Sequence, residues 1–337
     1  MCFLLIAAAT ATLLFSREPF DLANQRTQVG QGRSFVVPVS ETEVPITVIH
    51  GEKAGPVLTL TAGIHGDEFP SILALQRLRA EVRAKDLAGT LVMVHVANLP
   101  GFLGRRIAVS PVDGKNLNRA FPGSADGTLT EKVAHFFTME VIARTDYLID
   151  MHSGSANQEL LPHVYSPFLG DKELDGRTFE FAKATGMRHI VLYGDRPRDP
   201  ARSISYPNTA MTRGKPALTT EIGHLGRRDE EFVRDVMRVA WNAMRHLKMI
   251  EGAPEFNAGY VLYRKLHEVE SPVKGVFHAR CRIGEMVGQG ALVGEITDWF
   301  GTKIAELHAP LAGVVMMLAS YPAVDPGDAP VTIGELQ

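Results

Sequence analysis

Apolar and polar residues alternate from Ser34 to His50, the period of half-buried strands. After Gly55-Pro56 the run Val57 to Thr61 predicts an inner strand that ends at Gly63. Ile72, Leu75, Leu78 and Val82 fall at helical spacing and predict a helix over 70–84. Leu91 to Val96 predicts a second inner strand, and a helix over 130–143 opens at Thr130-Glu131. Asp146 to Met151 predicts a strand, 172–186 a helix closed by Gly186, Pro216 to Thr220 a strand, and 229–249 a long amphipathic helix. Strands that alternate with helices imply an α/β fold: a mixed, largely parallel sheet flanked by helices. In such sheets ligands sit beyond the C-terminal ends of the strands. Chemistry-bearing residues are therefore sought just past 57–61, 146–151 and 216–220.

Near Gly252 helical periodicity stops, and short β-type runs with Gly and Pro continue to the end. A boundary at 252–258 divides residues 31–252 from a small all-β segment, 258–337. That segment holds a weak repeat, in which Ser271 to Phe277 echoes Ala309 to Val315. Two matching halves suggest a barrel-sandwich. Lys303 falls near the position of a carrier lysine but one residue short, without the usual flanks, so a lid or assembly role is expected instead. Residues 1–30 are set aside as an N-terminal extension. Cys2 to Phe15 is almost wholly apolar, too short for a membrane span and without a preceding Lys or Arg. An over-extended start or a loosely docked N-terminus fits it better than an export signal.

Composition narrows this picture only by exclusion. The chain of 337 residues is 45% hydrophobic and 22% charged, as soluble domains are. A net charge of −3 points to neither nucleic acid nor an acidic membrane. Cys2 and Cys281 are too few for a metal cluster or a disulfide framework. A cytoplasmic location is expected, with the periplasm as the alternative if the N-terminal segment is a genuine signal.

Four segments carry candidate chemistry. Gly63-Ile64-His65-Gly66-Asp67-Glu68 offers an imidazole and a carboxylate that flanking glycines allow to converge on one zinc ion. Asp150-Met151-His152-Ser153-Gly154 adds a second histidine, which Asp150 could orient. Three protein ligands with one open position describe a catalytic zinc site rather than a structural one. Thr219-Thr220-Glu221-Ile222-Gly223 places a carboxylate at a strand end as a proton-transfer group, with His224 as rival base. Asn116 to Gly123 holds Arg119 beside Asn118 in a Pro/Gly-bounded loop suited to bidentate carboxylate recognition. The bland alternative pairs Arg119 with Asp113.

Together, G-x-H-G-x-E, N-L-N-R-x-F-P-G, D-x-H-S-G and T-x-E-x-G resemble the zinc-carboxypeptidase-like clan, in its succinylglutamate desuccinylase/aspartoacylase branch. The resemblance covers residues 33–250, with the motifs in order. It implies His65, Glu68 and His152 as ligands of one Zn2+ per chain and Glu221 as general acid/base. It also implies Asn118 and Arg119 as holders of the substrate carboxylate, with Arg106 or Arg105 as a further arginine on the substrate. Members with an appended β segment resemble deacetylases of N-acetylated diamino acids. The expected function is removal of an acyl group from a small N-acyl amino acid, with no nucleic acid or membrane partner and a homo-oligomer left open. A zinc carboxypeptidase or murein-peptide hydrolase is the alternative, disfavoured by the compact spacing between motifs. A non-catalytic binding module would have lost a ligand or the acid, and neither is missing. The β segment is expected to narrow the entrance.

Overall fold

The computed structural model describes residues 17–256 and 259–337; the apolar run Cys2 to Phe15 lies outside them. One twisted 13-stranded sheet organises the chain. At its centre Ala88–Val94, Lys53–Ala62, Tyr147–His152 and Ala217–Glu221 lie side by side and parallel. The hairpin Gln31–Val39 and Thr42–His50 extends one end antiparallel. On the other side, His163–Pro167 joins antiparallel to Ala217–Glu221, and His189–Tyr193 follows parallel to it. The sheet is thus mixed and largely parallel at its centre, as the element pattern implies.

Period-two alternation sends each strand's side chains to two separate cores. Leu58, Leu60, Ile149, Met151 and Leu218 pack under helices Phe69–Glu81, Lys172–Ala184 and Glu230–His246. Val92, Val94, Leu148 and Ala217 face the opposite way, under helices Leu129–Phe136 and Tyr206–Met211. Residues 20–27 belong to this second core. Phe20–Leu22 pairs with Gln25–Thr27, and Leu22 is fully buried. Part of the stretch set aside on sequence is therefore docked on the fold. The helix expected over 172–186 ends at Ala184, and Gly186 takes the positive φ of +75° expected of a stop signal.

The sheet does not stop at 252–258. Val261–Val269 pairs parallel with His189–Tyr193, and Val331–Leu336 and Gly313–Ala319 continue outward. A second sheet of four strands, Gly275–Ala279 among them, closes over this extension around Val269, Phe277, Ile296, Val315 and Ile333. The 271–277 and 309–315 repeat now has a physical basis. A Cβ on Gly275 would stand 2.4 Å from the Thr297 carbonyl oxygen, and one on Gly313 would stand 2.3 Å from that of Gly334. Each half needs a glycine where its strand meets its neighbour. Lys303 is held in ion pairs with Glu306 and Glu295. No helix among the described residues is long and apolar enough to cross a membrane.

Candidate active site

Three adjacent parallel strands deliver the central residues. Lys53–Ala62 leads into His65 and Glu68, while His152 and Glu221 are the last residues of their strands and stand directly opposite each other. Alternation places Asp150 and His152, like Thr219 and Glu221, on the sheet face opposite the Met151 and Leu218 core.

The two glycines of the His65 loop do different jobs. Gly63 has φ +70°, a conformation L side chains rarely adopt. Gly66 has no such angle, but a Cβ there would meet the Phe102 nitrogen at 2.1 Å, so it permits a backbone approach. Asp67 ties the loop to the turn after His152, accepting from the Ala156 N–H at 3.1 Å and the Ser155 hydroxyl at 3.3 Å.

The carboxylate of Glu68 spans both imidazoles. Its Oε1 is 2.7 Å from His65 Nδ1 and its Oε2 is 2.8 Å from His152 Nδ1. The far nitrogens face acceptors: His65 Nε2 lies 3.2 Å from Asn116 Oδ1, and His152 Nε2 lies 2.8 Å from the fully buried Asp150 Oδ2. A proton held at each Nε2 leaves both Nδ1 lone pairs aimed at the point Glu68 occupies. The donor atoms all lie within 4.8 Å of one another, and two neutral imidazoles with one carboxylate suit a zinc ion. When the imidazoles carry a second proton, at the Nδ1 atoms that face Glu68, burial pushes the Glu68 carboxyl up but the charges and hydrogen bonds of His152 and His65 outweigh it and draw it down to about 2. Glu221 goes the other way. Burial, with the Glu68 and Asp150 carboxylates adding to it and His152 opposing, pushes its carboxyl up to about 8.

These groups open on a chamber of about 850 Å³, and a smaller recess of about 180 Å³ leads off it. Arg119 lines both, and one of its NH groups donates to the Asn118 carbonyl at 2.8 Å. Asp113 is occupied elsewhere, by the Thr130 N–H and hydroxyl at 2.8 and 2.7 Å, so it does not take up Arg119. Asn118 lines the recess, with its Oδ1 accepting the Tyr206 N–H at 3.0 Å. His224 packs edge-on against Phe232 and is not among the residues lining either cavity. Arg105 and Arg106 are exposed and line neither cavity, whereas Ile107 and Ala108 do line the chamber.

Sequence reasoning missed Arg196 and Tyr165, which line both cavities. The Arg196 guanidinium lies 4.5 Å over the Tyr193 ring, and its buried Nε has no partner among the described residues. Tyr165 stands opposite Thr219, on the same face as Glu221. Tyr165 lies on His163–Pro167 and Arg196 follows His189–Tyr193, both five-residue strands without clean alternation, so no pattern signal marked them.

Fold and site together have the form of a hydrolase with a candidate metal site: imidazole and carboxylate groups at the ends of parallel strands, a second carboxyl beside them, and arginines across the chamber. Residues 54–247 match the succinylglutamate desuccinylase/aspartoacylase catalytic domain, and the chain belongs to that family. It is 32% identical to the N-alpha-acetyl-L-2,4-diaminobutyric acid deacetylase of Halomonas elongata, over 89% of this chain and 90% of that protein. Its structure is similar to a succinylglutamate desuccinylase/aspartoacylase from Rhodobacter sphaeroides, with a TM-score of 0.82 and 28% identity, covering 95% of this chain and 97% of that one. It is equally similar, at 0.82 and 26% identity, to the product-bound ectoine utilization protein EutE (DoeB) of Ruegeria pomeroyi, covering 96% and 98%.

Proposed function

We propose that the protein is a zinc-dependent amidohydrolase that removes the acyl group from a small N-acyl amino acid. The carrying observation is the convergence of His65, Glu68 and His152 beside Glu221 at three adjacent strand ends. The family resemblance and the deacetylase relative support the same reading. Zinc, when bound, supplies Lewis acidity and makes water a nucleophile near neutral pH. The chain's own residues do the rest. Glu221 as carboxylate takes a proton from the attacking water and returns it to the leaving amine nitrogen, and burial, which raises its carboxyl, favours the protonated form that makes this second transfer. Arg119 holds the substrate carboxylate, with the Asn118 amide beside it, and Arg196 extends the cationic wall. Asp150 and Asn116 keep the two imidazoles in the tautomer a metal needs. Residues 31–252 form the catalytic part, and 258–337 contribute Pro310, Met317 and Thr332 to the chamber wall, limiting the length of substrate that enters.

A hydrolysis panel of acetyl-, succinyl- and formyl-amino acids, run with and without zinc, tests the reading. Zinc-dependent release of free amino acid is expected. Faster cleavage of long peptides than of single acyl amino acids would replace it with the peptidase alternative.

A further inference from the structure

We propose that Glu268 determines substrate choice by receiving the free side-chain ammonium of an N-acyl diamino acid. The proposal deepens the deacylase reading above and rests on it.

Val261–Val269 reaches the chamber because it pairs parallel with His189–Tyr193, so a segment far along the chain forms part of the wall facing the metal-type site. The cations of this strand that line the chamber are already engaged. Arg264 and His267 pair with Glu335 at 3.7 and 2.9 Å, and Lys265 pairs with Asp195 at 3.1 Å. Glu268 lies among them, exposed at the chamber, and its carboxylate has no ion pair or hydrogen bond among the described residues. Its charge also reaches the reacting region. Burial first, then the carboxylates of Glu221 and Glu268, push the Tyr165 phenol up, and Tyr165 lines both the chamber and the recess.

The site therefore has two poles. Arg119 and Arg196 are shared by chamber and recess and present positive charge with no acid partner among the described residues, while Glu268, with Glu270 two residues on, lines the chamber but not the recess and presents negative charge. An acyl amino acid with an uncharged side chain satisfies only the first pole. One with an acidic side chain brings its second carboxylate against Glu268, where like charges repel. One with an ammonium on a short side chain satisfies both.

The test compares zinc-loaded wild type and Glu268→Gln on Nα-acetyl-2,4-diaminobutyrate, its uncharged isostere N-acetylnorvaline, and N-acetylglutamate. The expected result is a fall of about tenfold or more in kcat/KM on the diaminobutyrate, carried mainly by KM. N-acetylnorvaline should change less than about twofold, and N-acetylglutamate should improve. Calorimetry should show the same selective loss for the product 2,4-diaminobutyrate against norvaline. Equal falls on the ammonium and uncharged substrates, or no change on either, would overturn the role of Glu268 while leaving the deacylase reading intact. Wild type that hydrolyses none of the three overturns the proposal, and failure on the whole acetyl-, succinyl- and formyl-amino acid panel overturns the deacylase reading itself.

Discussion

Placing a methyl group on Gly66 should damage the metal site more than the fold. The added carbon would sit 2.1 Å from the Phe102 nitrogen and 2.2 Å from the Gly101 carbonyl carbon. Ordinary contact begins near ~3.5 Å, so the two backbones must part by roughly 1 Å or more. Neither side yields freely. The facing helix Leu99–Gly104 is capped by Asn98, whose Oδ1 accepts the Gly101 N–H at 3.0 Å, and the His65 loop is tied down through Asp67. His65 is the neighbouring residue, and a coordination site tolerates only ~0.5 Å of displacement. Gly66→Ala should therefore weaken zinc binding by at least the ~10–100-fold typical of losing a supporting contact, and destabilise the fold by about 1–3 kcal/mol through overpacking. Gly63→Ala is the contrast. Its cost of roughly 1–2 kcal/mol comes from φ +70°, and its nearest new contact, Val96 Cα at 3.2 Å, is far milder. Zinc competition against a chromophoric chelator, with thermal unfolding of the metal-free proteins, measures both quantities. A Gly66→Ala protein with wild-type zinc affinity and an unchanged Tm would refute the reasoning.

Glu221→Gln should keep zinc by metal analysis and lower kcat by roughly 10²-fold or more in steady-state assays. Arg119→Lys should lower kcat/KM although charge is retained, because lysine cannot form the two-point fork, and the preference for acid over amidated substrates should shrink with it. Gly176→Ala should stabilise the protein by about 0.5–1 kcal/mol in denaturant unfolding, since Gly176 lies inside Lys172–Ala184 and a Cβ there meets nothing within 4 Å. Burial, with the charge of Arg79 adding to it, draws the His95 imidazole down from 6.5 to about 4. The unfolded chain then binds the extra proton between those values, so stability falls as pH drops from 6.5 towards 4, by up to about 3 kcal/mol. His95→Gln, which can still reach the Thr47 hydroxyl that Nε2 meets at 2.8 Å, should flatten that part of the urea-unfolding pH profile.

The central donors were legible because local chemistry and strand position coincide at each. His65, His152 and Glu221 close or follow strands whose apolar runs are unambiguous, and glycines stand beside each of them. Period two then sets which face each side chain takes, and the order of the three strands brings the residues together. The two glycines of the His65 loop both shape it, by different means. Only Gly63 supplies an unusual backbone angle, while Gly66 answers to a helix over thirty residues away, which no local pattern contains.

What stayed hidden depends on pairing across long separations. Arg105 and Arg106 follow the six-residue helix Leu99–Gly104, where Arg105 takes a left-handed φ of 52°, and both side chains are exposed. The cationic wall comes instead from Arg196, beyond a strand too short to announce itself. The boundary near 252–258 marks a true change of local pattern, but the sheet crosses it, because Val261–Val269 buries Tyr263 beside Val191. That one pairing makes the β segment part of the chamber wall. A change in periodicity reports where the packing partner of each residue changes, and it carries no information on whether hydrogen bonding between strands continues. The donors at the strand ends are marked by local patterns, whereas the wall across the chamber is assembled from segments far apart in the chain. The chamber wall is therefore the part of this site that local sequence patterns do not reveal.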